Sequence, residues 1–253
     1  MPYVLFISTL LELKINKIEF EYDTKLKAVC LISGGIDSPV AAQISCLNGF
    51  QPTLIHYHNF PFHSLGTLEK VVALSNKLVE RNSNLLMSLI ILPNGKSQET
   101  ILNNLRGVEI RQTCLLCRMQ MFIKAEMYAQ KIGADIIVTG EILGEQASQT
   151  LDNLPIVTSK VKIPISRPLI GYNKEEVVQL SKKWGFYDLS IQPGGCCSIN
   201  PRYPETKGRI DVIKQLFDRM ATIIRDTAMY ELKNAQTFSL PVDIETVLKK
   251  IEI

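Results

Sequence analysis

Residues 28–32, Ala-Val-Cys-Leu-Ile, are uniformly apolar and stop at Ser33-Gly34-Gly35. A short apolar run without polar alternation, bounded by a glycine turn, is the pattern of a strand buried on both faces of a parallel sheet. Pro39 then falls in the first turn of an expected helix, where a missing N–H costs nothing. Val40, Ala41, Ile44 and Leu47 recur at helical spacing until Asn48-Gly49 closes the helix. The alternation continues, with strands expected at 53–57, 85–92, 135–139 and 163–166. Helices are expected at 68–81, 97–105, 115–132, 143–152 and 174–184. Such spacing predicts an α/β fold on a doubly wound, mostly parallel sheet. Residues 210–230 and 244–251 show only the helical period. The segment 208–253 therefore reads as a helical C-terminal appendage without strands, 28–207 as the main domain and 1–27 as an N-terminal extension.

Composition refines this picture only slightly. Apolar residues make up 46% and charged residues 21%, which predicts a packed core rather than a disordered chain. A net charge of +3 permits a polyanionic partner without requiring one. The apolar stretch from Tyr3 to Leu11 is far shorter than the roughly 20 residues a membrane span needs. It also lacks the basic lead-in and small-residue cleavage site of a secretory signal, so it reads as a strand or partly buried extension. No membrane partner and a cytoplasmic location are expected.

The first chemistry-bearing motif is Ser33-Gly34-Gly35-Ile36-Asp37-Ser38, between the first strand and its helix. Glycines let the backbone approach a ligand closely, and the free amides at a helix start, with its positive dipole end, bind an anion. Ser33 and Ser38 add hydroxyl donors. Asp37 suits either a helix cap or a magnesium ion shared with a pyrophosphate. Neither the Walker spacing nor the dinucleotide Gly-x-Gly-x-x-Gly fingerprint is present. The motif instead points to cleavage of ATP to AMP and pyrophosphate.

The second is a set of thiols. Of six cysteines, Cys30 and Cys46 sit in apolar surroundings and read as small core residues. Cys114-Leu115-Leu116-Cys117 places two thiols one turn apart at an expected helix start. There the helix dipole, with Arg111 and Arg118, is expected to favour thiolate. Cys196 and Cys197 lie in a glycine-bearing loop. A CxxC with a distant cysteine suits persulfide chemistry, an iron–sulfur cluster or zinc. Adjacent cysteines seldom point at one centre, so Cys197 is expected to contribute less than Cys196.

LISGGIDSPVAA (31–42) resembles the adenylation domain of the tRNA 4-thiouridine synthetases, the ThiI family. So do HYHNFPFHS (56–64), TGEILGEQASQTLDNL (139–154), RPLIGYNKEE (167–176) and SIQPGGCC (190–197), in family order. The resemblance implies a PP-loop fold holding ATP through Leu31, Ile32, Ser33, Gly34, Gly35, Asp37, Ser38, His56, Tyr57, Arg118, Gly140 and Gln149. It implies a catalytic set of Asp37, Cys114, Cys117 and Cys196, the last being the counterpart of the family's catalytic cysteine. The CxxC looks like the archaeal-type branch, in which Cys114, Cys117 and Cys196 would hold an iron–sulfur cluster. The implied reaction is ATP-dependent adenylation of a tRNA uridine, followed by replacement of its carbonyl oxygen by sulfur from an unidentified donor.

Family members carry an RNA-binding THUMP region, for which residues before 28 leave no room, and a rhodanese domain is not found either. Recruitment of tRNA through a separate THUMP-containing partner is therefore expected, and a homodimer stays open. Lys160, Lys162, Arg167, Arg202, Lys207 and Arg209 are the candidate RNA-facing cations, with a merely solvated face the competing reading. Glu145 and His63 read as surface residues, and His58 as an ordinary partly buried histidine. Two other functions compete: a PP-loop enzyme thiolating or amidating a small acceptor, and a non-catalytic iron–sulfur or ATP-binding subunit.

Overall fold

A computed structural model describes residues 26–62, 64–194 and 197–251. The expected N-terminal strand or extension falls outside them. Strands β1 (Lys27–Leu31), β2 (Gln51–His58), β3 (Ser88–Pro93), β4 (Ile136–Val138), β5 (Ile165–Ser166) and β6 (Gln236–Ser239) form one sheet in the order β5-β4-β1-β2-β3-β6. All neighbours are parallel except β6, which runs antiparallel to β3.

Both faces of the sheet are covered, which explains the unbroken apolar runs. Ala28, Cys30 and Leu54 point to one face, where α1 (Asp37–Leu47), α2 (Gly66–Arg81), α6 (Lys174–Lys183) and α9 (Ile244–Lys250) pack. Val29, Leu31 and Ile55 point to the other, against α3 (Gly95–Asn104), α4 (Thr113–Ile132), α5 (Asn153–Val157) and α8 (Ile210–Lys233). A short α7 (Tyr187–Ser190) precedes the cysteine loop. Burial pushes the Cys46 thiol up to about 12 and holds Cys30 well above the ordinary range, as inert core thiols require. Among the described residues no helix is long and apolar enough to cross a membrane.

Three expectations need correction. The segment between the C-terminal helices holds β6, so 208–253 is not strandless. Only Phe238 of that four-residue edge strand is buried, leaving almost no alternation to detect. The expected helix 143–152 is instead a turn with Gly144 at φ 78°, then a 3-10 turn over Ala147–Gln149. Helix α5 starts only at Asn153, because the Asn153 amide side chain is spent on the carbonyls of Ala147 and Glu205. The third strand begins at Ser88 rather than 85, because Leu85 N–H turns back to the Asn82 carbonyl.

Helix α8 is not loosely attached. Its buried stripe runs Ile213, Leu216, Phe217, Met220, Ile224 and Ala228, then ends on a carboxylate, Glu231. Glu231 meets Lys124 Nζ at 2.7 Å with both side chains fully buried, and it accepts from Ser97 N at 2.9 Å. Lys124 also donates to Asn94 and Ser97. Removing one partner of such a pair strands a buried charge, at a cost of about 3–5 kcal/mol. Glu231→Ala should therefore lower stability by roughly that amount in urea titrations, whereas the double variant Lys124→Met/Glu231→Leu should regain most of it.

Candidate active site

The phosphate-type loop sits at the carboxyl end of β1, where open α/β sheets hold their ligands. Ser38 Oγ ties the loop together: it accepts from Ser33 N at 2.8 Å and lies 3.1 Å from Ser33 Oγ. Around the loop is a cavity of about 350 Å³. Leu31, Ile32, Ser33, Gly35, Asp37, Ser38, His56, Tyr57, Arg118, Gly140 and Gln149 all line it. Thus eleven of the twelve residues expected to hold nucleotide meet at one place; Gly34 instead backs onto Lys70 of α2. Tyr57 donates its hydroxyl to the Met121 carbonyl, and His56 Nδ1 lies 3.1 Å from the Ile32 carbonyl.

The floor of the cavity is ionic. Glu141, buried to 1% exposure, receives Arg118 Nη2 at 2.5 Å and Arg167 Nε at 2.7 Å. Arg118 Nε and Arg167 Nη2 are left without hydrogen-bond partners, so this trio carries one surplus positive charge and spare donors. Arg167 was a candidate RNA-facing cation; the structure makes it part of this floor. Lys174 bridges Asp37, at 2.8 and 3.0 Å, and Glu145, at 3.0 Å. Burial raises the Asp37 carboxyl and Lys174 opposes the shift. For Lys174, desolvation is outweighed by its two carboxylate partners, so its pKa rises.

Sequence reasoning missed Glu141 as a junction of two arginines and Lys174 as a partner of the loop. Both lie in motif blocks that were noticed, but the side-chain pairing is tertiary and leaves no local pattern. Glu145 is exposed as expected, with the ion pair to Lys174 added.

The thiols lie next to this cavity. Cys117 immediately precedes Arg118 on α4, and Cys114 donates its S–H to Asn200 Oδ1 at 3.1 Å. Cys196 lies outside the described residues. Cys197, expected to be the lesser of the adjacent pair, is close enough to Cys114 and Cys117 to repel both as anions. Ser190, at the end of α7 before the cysteine loop, donates Oγ to the Gly35 carbonyl at 3.4 Å, and Thr67 of α2, on the cavity wall, donates Oγ1 to the Gly194 carbonyl at 3.1 Å.

The expectation of activated thiolates is overturned. Desolvation, then repulsion from Cys117 and Cys197, pushes Cys114 up to about 11, and desolvation also raises Cys117. Two features explain this. A 3-10 turn (Gly107–Gln112) runs directly into α4, and the Thr113 amide is already bonded to the Ile110 carbonyl, so no free helix start faces Cys114. Arg118, paired with Glu141, still lowers Cys117, but burial and the neighbouring Cys197 outweigh it.

The model for the ThiI thiamine biosynthesis protein family matches residues 23–221. The chain belongs to the ThiI family. A protein of Methanothermobacter thermautotrophicus named a probable tRNA sulfurtransferase is 38% identical over 197 residues, 78% of this chain and 50% of its own length. One of that name from Acholeplasma laidlawii is 33% identical over 231 residues, 90% of this chain and 55% of its own. A solved 4-thiouridine synthetase, in complex with RNA and ATP, superposes with a TM-score of 0.79 at 31% identity, covering 84% of this chain and 55% of that one. The chain thus spans about half the length of the curated ThiI relatives it matches.

Two outcomes follow for this ThiI-family site. A Cβ on Gly140 would lie 2.7 Å from Ser38 N and 2.8 Å from Asp37 C, both backbone atoms that cannot yield cheaply. Gly140→Ala should weaken nucleotide binding by more than about tenfold, roughly 1.4 kcal/mol, in isothermal titration, by displacing the loop. Secondly, iodoacetamide labelling of Cys114, read by mass spectrometry, should climb roughly tenfold per pH unit from neutrality without saturating below pH 9. Saturation near pH 7 would mean an activated thiolate.

Proposed function

We propose that this chain is the adenylating and sulfur-transferring part of an ATP-dependent tRNA sulfurtransferase, acting on a uridine carbonyl as in 4-thiouridine synthesis. The observation that carries this reading is the junction Cys117-Arg118: Arg118 lines the loop cavity, and the residue before it belongs to the thiol cluster. Successive residues of α4 thus stand one at the nucleotide cavity and one among the thiols, which brings the two half-reactions to neighbouring positions. The names of the relatives and the ATP and RNA of the solved neighbour support the same substrates.

In the first half-reaction the loop amides, Ser33 and Ser38 hold the triphosphate, and the positive charge of Arg118 on the cavity wall favours the phosphates. The uridine carbonyl oxygen attacks the α-phosphorus and pyrophosphate leaves. Donors fixed before the reaction stabilise the developing charge at no reorganisation cost. Asp37 is the loop's one carboxylate, and both its oxygens already meet Lys174. That set fits a magnesium ion held mainly by phosphate oxygens, with Asp37 as its protein ligand. Such an ion would neutralise charge on the departing pyrophosphate.

In the second half-reaction the terminal sulfur of a cysteine persulfide attacks the activated carbon, and AMP leaves with the original oxygen. A neighbouring thiolate then breaks the S–S bond, which frees the thiolated base and leaves a disulfide for an external dithiol to reduce. Among the described residues Cys114, Cys117 and Cys197 are near enough to interact, and Cys196, the expected catalytic cysteine, adjoins Cys197 in the chain. A second reading has a specific observation behind it. These thiols repel one another as anions, and cationic iron would remove that repulsion. Its third expected ligand, Cys196, lies outside the described residues. Iron and labile sulfide assays on anaerobically purified protein separate the two.

The half-reactions should come apart by mutation. Asp37→Ala should cut tRNA-dependent pyrophosphate release by roughly a hundredfold or more. Cys114→Ser, Cys117→Ser and Cys196→Ser should bind ATP and release pyrophosphate near the parent rate, yet yield no thiolated nucleoside on digestion and mass spectrometry, and Cys197→Ser should be milder. Full thiolation by the cysteine variants would remove the sulfur-transfer step and promote a small-acceptor reaction.

A further inference from the structure

Beside the thiols lies a second depression, of about 490 Å³, lined by Gly107, Ile110, Arg111, Pro201, Arg202 and Tyr203. It shares a wall with them. Arg111 sits one turn before Cys114, and Pro201 follows Asn200, which accepts the Cys114 thiol hydrogen. The wall is well anchored: Glu205 N donates to the Arg111 carbonyl at 3.0 Å, and Thr150 Oγ1 donates to the Thr206 carbonyl at 2.7 Å.

Its chemistry is that of a nucleotide platform. Tyr203 is 65% exposed, and the Arg202 guanidinium lies 5.3 Å from its ring centroid. Arg202 makes no ion pair among the described residues. Arg111 is half-exposed, and its single carboxylate partner stands at 3.7 Å, beyond hydrogen-bond length. Three other candidate RNA-facing cations are already paired, Lys160 with Asp218, Arg167 with Glu141 and Arg209 with Asp211, whereas Lys162 and Lys207 do not line this depression. An aromatic face with arginines beside it suits an unstacked base and its phosphates. A protein partner would sooner seat on a core depleted of charge, whereas two of the six residues lining this depression are arginines.

We propose that this depression holds a nucleotide of the acceptor RNA next to the one being modified, with its base on Tyr203 and its phosphate on Arg111 and Arg202. The inference rests on the RNA-thiolation reading above and says where the strand lies. A strand delivering one base to the space between Arg118 and Cys117 would keep its neighbour against the Arg111–Cys114 turn.

The test is tRNA binding by fluorescence anisotropy at several salt concentrations, with ATP-induced thermal shift as the control for folding. Both side chains are at the surface, so Tyr203→Ala and Arg202→Gln should fold and bind ATP like the parent. Tyr203→Ala should weaken tRNA binding about tenfold, and Arg202→Gln should reduce the slope of log K against log salt by about 1. Unchanged affinity and slope in both variants, with the parent still thiolating tRNA, would overturn the platform and leave the function standing. Normal tRNA binding with loss only of sulfur transfer from a protein persulfide donor would also overturn it, by assigning the depression to that donor. No tRNA complex with the parent chain, together with no thiolated tRNA when a THUMP-containing partner is supplied, would bring down both readings.

Discussion

The site depends on how closely the end of β4 approaches the start of α1. Gly140 has no side chain, and only that lets its backbone lie against the amide of Ser38. The next residue is Glu141, whose carboxylate is thereby driven into the interior, where a lone charge is not tolerated. Arg118 and Arg167 must come to it. Arg118 brings Cys117 with it along α4. One backbone contact thus fixes the loop, the cationic floor and the first of the thiols in a single frame.

The opposite end of the cavity is held from the C-terminal part of the chain. Glu231 neutralises Lys124, Lys124 donates to Asn94, and Asn94 Nδ2 donates to Asn59 Oδ1, at 2.5 Å, on the cavity wall. Lys124 also lies 5.3 Å from the ring centroid of Tyr57. Buried polar networks that are fully satisfied specify one arrangement rather than many. Here the network joins α8, α4, α3 and the loop after β2.

The sequence made the local parts of this machinery readable. A strand, two glycines, an acid and a serine before a helix are neighbours in the chain, and eleven of the residues assigned to nucleotide line one cavity. Readings failed where the deciding contact lies far along the chain. Thiolate activation at Cys114 and Cys117 rests on a helix start that the preceding 3-10 turn removes, and on Arg118, which a distant carboxylate occupies. Arg167 gave no sign of facing inward, because its partner is 26 residues away. Strand β6 is too short to show a period, and it was found only through its pairing with β3.

The ends of the sheet have a bearing on how the chain behaves in a crowded solution. An edge strand offers a row of unpaired amides and carbonyls to any other chain, and long, flat, apolar edges seed aggregation. On one side the sheet closes with β5, only two residues long. On the other, β6 shields the continuous apolar strand β3, and it offers outward only four residues, among them Gln236, Thr237 and Ser239. Proline follows at Pro241, where no backbone donor is available to prolong pairing. The most adhesive strand of the fold is in this way kept from templating a neighbour, and the carboxyl edge stays clear for ligands.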